Sequence, residues 1–142
     1  MTTRNVGYWI TTGLVALAFA FGGIMDLWPS AELLAGMSHL GYPAYLAGLL
    51  GFWKLAGAAA ILAPGTPRLK EWAYAGMFFD LTGAAYSHAS SGDPAGRILT
   101  PLVLLALVAA SWALRSGPRT LTREASAAER GLPQGALVGA KG

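Results

Sequence analysis

The sequence predicts an all-α fold: a membrane-embedded four-helix bundle with both termini cytoplasmic. Three observations predict it. Hydrophobic residues make up 54% of the 142 residues and charged residues only 12%, about half the charged share of an ordinary soluble domain. Four apolar segments, Val6–Met25, Ala44–Ala63, Trp72–Ala89 and Ile98–Leu114, each approach the ~20 residues that span a bilayer as a helix. Eight of the ten Lys and Arg residues fall on one side of a four-span path: Arg4, Arg68, Lys70, Arg115, Arg119, Arg123, Arg130 and Lys141. The positive-inside rule makes that side cytoplasmic.

The length fits one domain. Residues 1–115 are expected to form the helical domain, with helices at about 6–26, 44–63, 68–89 and 94–115. Residues 116–142 are basic, rich in Gly and Ala and without a periodic apolar face, so they read as a disordered cytoplasmic tail. The first segment also has the small-residue pattern of a leader cleavage site at Ala18-Phe-Ala20. Its apolar run continues to Met25, however, which is the length of a span. The 27–43 connector is the longest on the outer side. Ser30 there reads as the N-cap of a short helix carrying Leu33, Leu34 and Met37 at helical spacing, either a lid on the bundle or a plain connector. Before the fourth segment, Asp93-Pro94 reads as an N-cap and a first-turn proline, and Pro101 is placed to kink the helix that follows. The segments are too uniformly apolar for the alternation of barrel strands.

Two charges lie inside the apolar segments. Lys54 is ten residues before Pro64 and Asp80 ten residues after Lys70, so each is expected ~15 Å from the same membrane face, near the middle of a ~30 Å hydrocarbon core. Small residues accompany both, Ala47, Gly51, Gly57 and Ala58 beside Lys54 and Gly76, Gly83 and Ser87 beside Asp80, and small residues let helices approach. The expectation is a Lys54–Asp80 ion pair between the second and third segments. It either fixes the register of that hairpin or forms a polar centre for a ligand head. Phe52, Trp53, Phe78 and Phe79 flank the charges, and Ser87 and His88 extend the polar line towards the outer face. A second polar cluster is expected there from Asp26, His39, Asp93 and Arg97, with Arg97 pairing to Asp26 or Asp93. Tyr8, Trp9, Trp28, Trp72, Tyr74 and Tyr86 fall where an interfacial aromatic belt is expected.

Composition also excludes chemistry. There is no cysteine, so no thiol nucleophile, disulfide or cysteine-held cluster is available. No phosphate-binding glycine loop, zinc-protease pattern or nucleophile elbow is present. No close ligand spacing supports a metal site. The basic residues are juxtamembrane, so nucleic-acid binding is not expected.

Gly51-Phe-Trp-Lys54-Leu-Ala-Gly57, Pro67-Arg-Leu-Lys-Glu71-Trp72-Ala-Tyr74-Ala-Gly76, Phe79-Asp80-Leu-Thr-Gly83-Ala84-Ala-Tyr86-Ser87-His88 and Gly92-Asp93 together resemble the DoxX-like family of small four-helix membrane proteins. The resemblance covers about Val6–Leu114 and is most specific in the second and third segments. Many relatives carry an acidic residue in the second helix, where this chain has Lys54. The family takes its name from a membrane subunit linked to thiosulfate:quinone oxidoreduction, and other relatives are associated with oxidative-stress complexes or receptor assembly. The resemblance therefore implies a multi-pass protein of a bacterial-type inner membrane. It also implies a quinone or similar amphiphile as ligand, and a soluble oxidoreductase, another membrane subunit or a second copy of the chain as partner. A non-enzymatic lipid or small-molecule carrier, or an assembly partner, is the competing reading. Whether the chain is catalytic is left open by the residues.

Overall fold

A computed structural model describes residues 2–115 and contains five helices: α1 (Thr3–Leu27), α2 (Ala31–His39), α3 (Tyr45–Leu62), α4 (Pro67–Ser90) and α5 (Ala95–Leu114). The expected cytoplasmic tail, 116–142, lies outside the described residues. Four of these helices match the four apolar segments. The fifth, α2, is the short piece expected in the 27–43 connector, and its start is set as the sequence suggests, with Leu33 N–H donating to Ser30 Oγ at 3.2 Å. Pro67 opens α4 in its first turn, where a missing N–H costs nothing.

The long helices form a closed ring in the order α1, α3, α4, α5, each packing on its two neighbours. Side-chain contacts fix their directions. The start of α1 meets the start of α4 through Lys70 Nζ and Tyr8 Oη at 3.4 Å. A Cβ on Gly7 would touch Leu114 at the end of α5. Arg4, Arg68, Lys70 and Arg115 therefore share one end of the bundle. The opposite end holds α2, the α4–α5 loop and Arg97.

The core is a band of Val15, Ala16 and Phe19 from α1, Ala58 and Ile61 from α3, Tyr74, Met77 and Leu81 from α4 and Val108 from α5. One polar knot sits inside it. Ser111 Oγ shares hydrogen bonds with Thr12 Oγ1 at 2.6 Å and Tyr74 Oη at 2.7 Å. All three residues are buried, so the hydroxyls satisfy one another where no water reaches, as buried polar groups must. Tyr8 and Tyr74 thus turn inward rather than joining an interfacial belt. Both rings are buried; the Tyr74 hydroxyl finds its partner in the core and the Tyr8 hydroxyl accepts from Lys70 at the bundle end. Trp9, Trp28, Trp72 and Tyr86 do remain exposed.

Leu14, Leu17, Phe21, Phe79, Leu99 and Val103 are also exposed on the long helices, an apolar exterior suited to lipid. Three helices, α1, α3 and α5, are long and apolar enough to cross a membrane. With 24 residues, α4 has the length, but Arg68, Lys70, Glu71 and Asp80 lower its hydropathy.

Two helix ends carry the same C-terminal device. After α2, Gly41 takes a left-handed φ of 82°, Gly41 N–H donates to Ser38 O and Tyr42 N–H to Met37 O. After α4, Gly92 takes a φ of 70°, Gly92 N–H donates to Ala89 O and Asp93 N–H to His88 O. Both are Schellman motifs, which need a residue free to adopt positive φ. Each turns the following side chain, Tyr42 or Asp93, back across the bundle end. The second also corrects the expected role of Asp93. The N-cap of α5 is Pro94, without a side-chain cap bond, because the Asp93 carboxylate is occupied elsewhere.

Candidate functional site

The charged centre is assembled by a glycine crossing. Gly23 of α1 and Gly51 of α3 face each other so closely that a Cβ on Gly51 would lie 2.7 Å from Gly23 O, and one on Gly23 would lie 2.9 Å from Gly51 O. Asp26 stands three residues after the first glycine and Lys54 three residues after the second, close to one helical turn in each case. Their side chains meet, with Lys54 Nζ donating to Asp26 Oδ2 at 2.7 Å.

This corrects the expected partner. Lys54 pairs with Asp26, and no Lys54–Asp80 ion pair forms within 4.0 Å among the described residues. The physical reason lies in the glycines. On α4, Gly76 and Gly83 meet nothing within 4 Å, so these glycines draw no backbone of α3 against α4 as Gly23 and Gly51 draw α1 against α3. The long aliphatic stem of Lys54 reaches towards the end of α1, as lysines in apolar surroundings do. Asp26 is accordingly not paired with Arg97, although both were expected in one outer cluster.

Asp80 stands near the pair without bonding to it. Its carboxylate has electrostatic coupling to both Lys54 and Asp26 and lines two cavities. The first, about 440 Å³, has Asp26, Lys54 and Asp80 in its wall, with Phe19 and Phe79 beside them and Met37, Leu40 and Tyr42 across its outer side. The second, about 480 Å³, lies between α3 and α4, where Trp53, Gly57, Ala60, Leu69, Trp72, Gly76 and Met77 give it an almost wholly apolar wall. Phe19, Leu50, Lys54 and Asp80 belong to both walls. A polar chamber and an apolar chamber therefore meet at Lys54 and Asp80.

The aromatic expectations divide. Phe79 lines the first cavity. Phe52 lines neither; it is exposed and stacks edge-on against Trp53 with ring centroids 5.3 Å apart. Trp53 takes the place expected of Phe52, because the next position on α3 points a further 100° round the helix, into the α3–α4 cleft.

The second polar cluster forms at the end that holds α2. Asp93 gathers three residues: its Oδ2 accepts from His88 Nδ1 at 2.6 Å, its Oδ1 accepts from His39 Nε2 at 2.9 Å, and Arg97 Nη1 lies 3.9 Å from Oδ1. The His88 hydrogen bond, aided by His39 and the Arg97 charge, holds the Asp93 carboxyl below its ordinary range against the opposing effect of burial. Beside it, Tyr42 Oη and Ser87 Oγ are hydrogen-bonded at 2.5 Å, and Ser87 Oγ donates to Gly83 O at 2.8 Å. Ser87 and His88 thus tie helix ends together rather than continuing a polar line from Asp80. A third group, Glu71 with Trp112 Nε1 and Arg115, closes the far end between α4 and α5.

Sequence reasoning missed Asp26 as the partner of Lys54, the Thr12–Ser111–Tyr74 knot and the Tyr42–Ser87 tie. The first had a readable signal. Gly22-Gly23 precedes Asp26 and Gly51 precedes Lys54 at equal spacing. The hydroxyl contacts had none, since each joins residues far apart in the chain.

Five helices among the described residues, an apolar exterior, an internal charged pair and three helices fit to span a bilayer define an integral membrane protein of the small helical-bundle class. The DoxX-like family model matches residues 10–111, and the chain belongs to that family. Searches of curated proteins and of solved structures found no match.

Proposed function

We propose that the protein is a four-span subunit of a bacterial-type inner membrane, with both termini cytoplasmic, that binds a quinone or similar amphiphile as part of a redox system. The observation that carries the binding reading is the meeting of the two cavities at Lys54 and Asp80. A ligand pocket is mostly apolar with a few placed polar groups. Here the α3–α4 cleft suits a ring or tail and the chamber beyond it suits a polar head. Lys54 keeps further N–H donors for a ligand carbonyl after bonding Asp26. Asp80, which has no hydrogen bond among the described residues, is the group free to exchange a proton with the head. The absence of cysteine assigns electron transfer to the ligand and to a partner, a soluble oxidoreductase or another membrane subunit.

The four-span reading rests on the ring itself. In it α4, 24 residues long, packs between α3 and α5, and its basic first turn shares an end with Arg4 and Arg115. Reporter fusions after Gly92 and after Arg115 test it; an extracytoplasmic signal after Arg115 overturns it. Quinone binding is tested by quenching of Trp53 and Trp72 fluorescence and by mass spectrometry of the protein extracted in mild detergent. Saturable quenching by a short-chain quinone, weakened by Asp80→Asn, supports the reading. Saturable binding of phospholipid with none of quinone moves the protein to the carrier class. No saturable ligand leaves an assembly role for the bundle.

A further inference from the structure

We infer that α2 is a lid over the polar chamber, and that a clasp centred on Asp93 holds it shut against the aqueous side. The inference deepens the ligand reading, since it assigns the control of water and proton access to the same chamber, but its test needs no ligand.

The seating of α2 suggests a movable part. None of its residues is buried. Leu33, Leu34 and Met37 are half-buried on the face turned to the bundle, while Glu32, Ala35 and Ser38 are exposed. Met37 and Leu40 line the chamber whose wall also holds Asp26, Lys54 and Asp80. Apolar contact alone secures such a helix weakly, because few groups leave water when it docks.

Two polar ties supply the rest, and both start at the C-terminal end of α2. His39 donates to Asp93, and Tyr42 bonds Ser87. Asp93 is in turn held by His88 of α4 and approached by Arg97 of α5. The ties thus connect the lid to the two helices on the far side of the bundle end. The Schellman turns after α2 and α4 aim Tyr42 and Asp93 at these partners, so the geometry of the clasp is built by the backbone. Prolines 29 and 43 bracket the segment just outside the helix and mark the points about which it swings. Both oxygens of one carboxylate serve the clasp, so neutralising that single group weakens the His39 and His88 bonds together.

The test uses the absence of cysteine. Ala18→Cys puts one thiol, at a half-buried position, in the wall of the polar chamber and not in that of the α3–α4 cleft. The full-length variant is placed in lipid nanodiscs and treated with a charged, water-soluble methanethiosulfonate. With the clasp intact, the thiol is expected to react slowly. Adding Asp93→Asn is expected to accelerate modification by about tenfold or more, the size of change that loss of a charge-assisted hydrogen bond produces. His39→Gln, which leaves the His88–Asp93–Arg97 side in place, is expected to accelerate it less. Tyr42→Phe reports the second tie independently. If Asp93→Asn does not assemble, His39→Gln and Tyr42→Phe carry the same test, with helix content and melting temperature as the check on folding. Equal rates in the wild-type background and in every clasp variant that folds overturn the lid. Slow labelling that the clasp controls, in a protein that binds no quinone, upholds the lid and removes only the ligand reading.

Discussion

Replacing Gly51 by alanine attacks the contact on which the charged centre depends. The added methyl carbon would lie 2.7 Å from Gly23 O, 2.9 Å from Leu27 N and 3.0 Å from Asp26 Cβ. The first two are backbone atoms and cannot rotate away, so α1 and α3 must separate. Overpacking of this kind costs about 1–3 kcal/mol. Alanine also raises helix propensity by about 0.5–1 kcal/mol, which offsets part of the loss, so the net expectation is a destabilisation of roughly 1–2 kcal/mol. Gly48→Ala and Gly13→Ala are the internal controls. A Cβ at either position meets nothing within 4 Å, so both variants are expected to be neutral or slightly stabilised. Thermal unfolding in one detergent, followed by helix content, compares the three. The separation should also lengthen the Lys54–Asp26 contact and lower the coupling between those residues. Equal melting temperatures for Gly51→Ala and Gly48→Ala would refute the glycine crossing as the basis of the α1–α3 seam.

Lys54→Met and Asp26→Asn are each expected to destabilise by about 3–5 kcal/mol, the loss typical of breaking one half of an enclosed pair. The double variant should recover much of it, and Lys54→Met with Asp80→Asn should recover less, as a double-mutant cycle in detergent measures. Ser111→Ala leaves the buried hydroxyls of Thr12 and Tyr74 short of a partner and is expected to cost about 1–3 kcal/mol, read as a lower melting temperature. Asp93 has a folded-state pKa below its ordinary value of 3.8, so its stabilising effect is complete above that value and is lost as pH falls through the lower folded value. Acid titration of melting temperature below about pH 4 should show this loss in the wild type and lack it in Asp93→Asn.

How much of this was legible in the sequence depended on the range of the interaction. The four long helices follow from runs of apolar residues, and α2 from a serine cap and three residues at helical spacing; both are local signals. The clasp was partly legible. His39, His88, Asp93 and Arg97 all sit at segment ends, and residues at one end of a bundle are forced together by topology alone. The identity of the partner of Lys54 was not. Counting residues from the loops placed Lys54 and Asp80 at a common depth, and depth is a one-dimensional coordinate. Which neighbour a lysine meets depends on which helices touch and on rotation about their axes. Phe52 and Trp53 show the same limit: adjacent in sequence, they face different surroundings, and periodicity is weak in α3 because nearly every residue is apolar.

The choice of Asp26 over Asp80 has a chemical consequence. Had Lys54 and Asp80 bonded to each other across the α3–α4 gap, the pair would have closed the seam between the two cavities and satisfied both charges. Instead α1 supplies the counter-charge, near the glycine crossing, and a cleft lined by Lys54 and Asp80 stays open between α3 and α4. Asp80 is left beside the pair with no hydrogen bond among the described residues. One lysine thus lies between two carboxylates, one bonded and one open to the chamber. An unsatisfied carboxylate in apolar surroundings is costly until it gains a hydrogen-bond donor, and this is the reason the proposed ligand head is assigned to Asp80. The cleft between α3 and α4 exists for the same reason that the carboxylate is free: the close contact was made by Gly23 and Gly51, and not by Gly76 and Gly83.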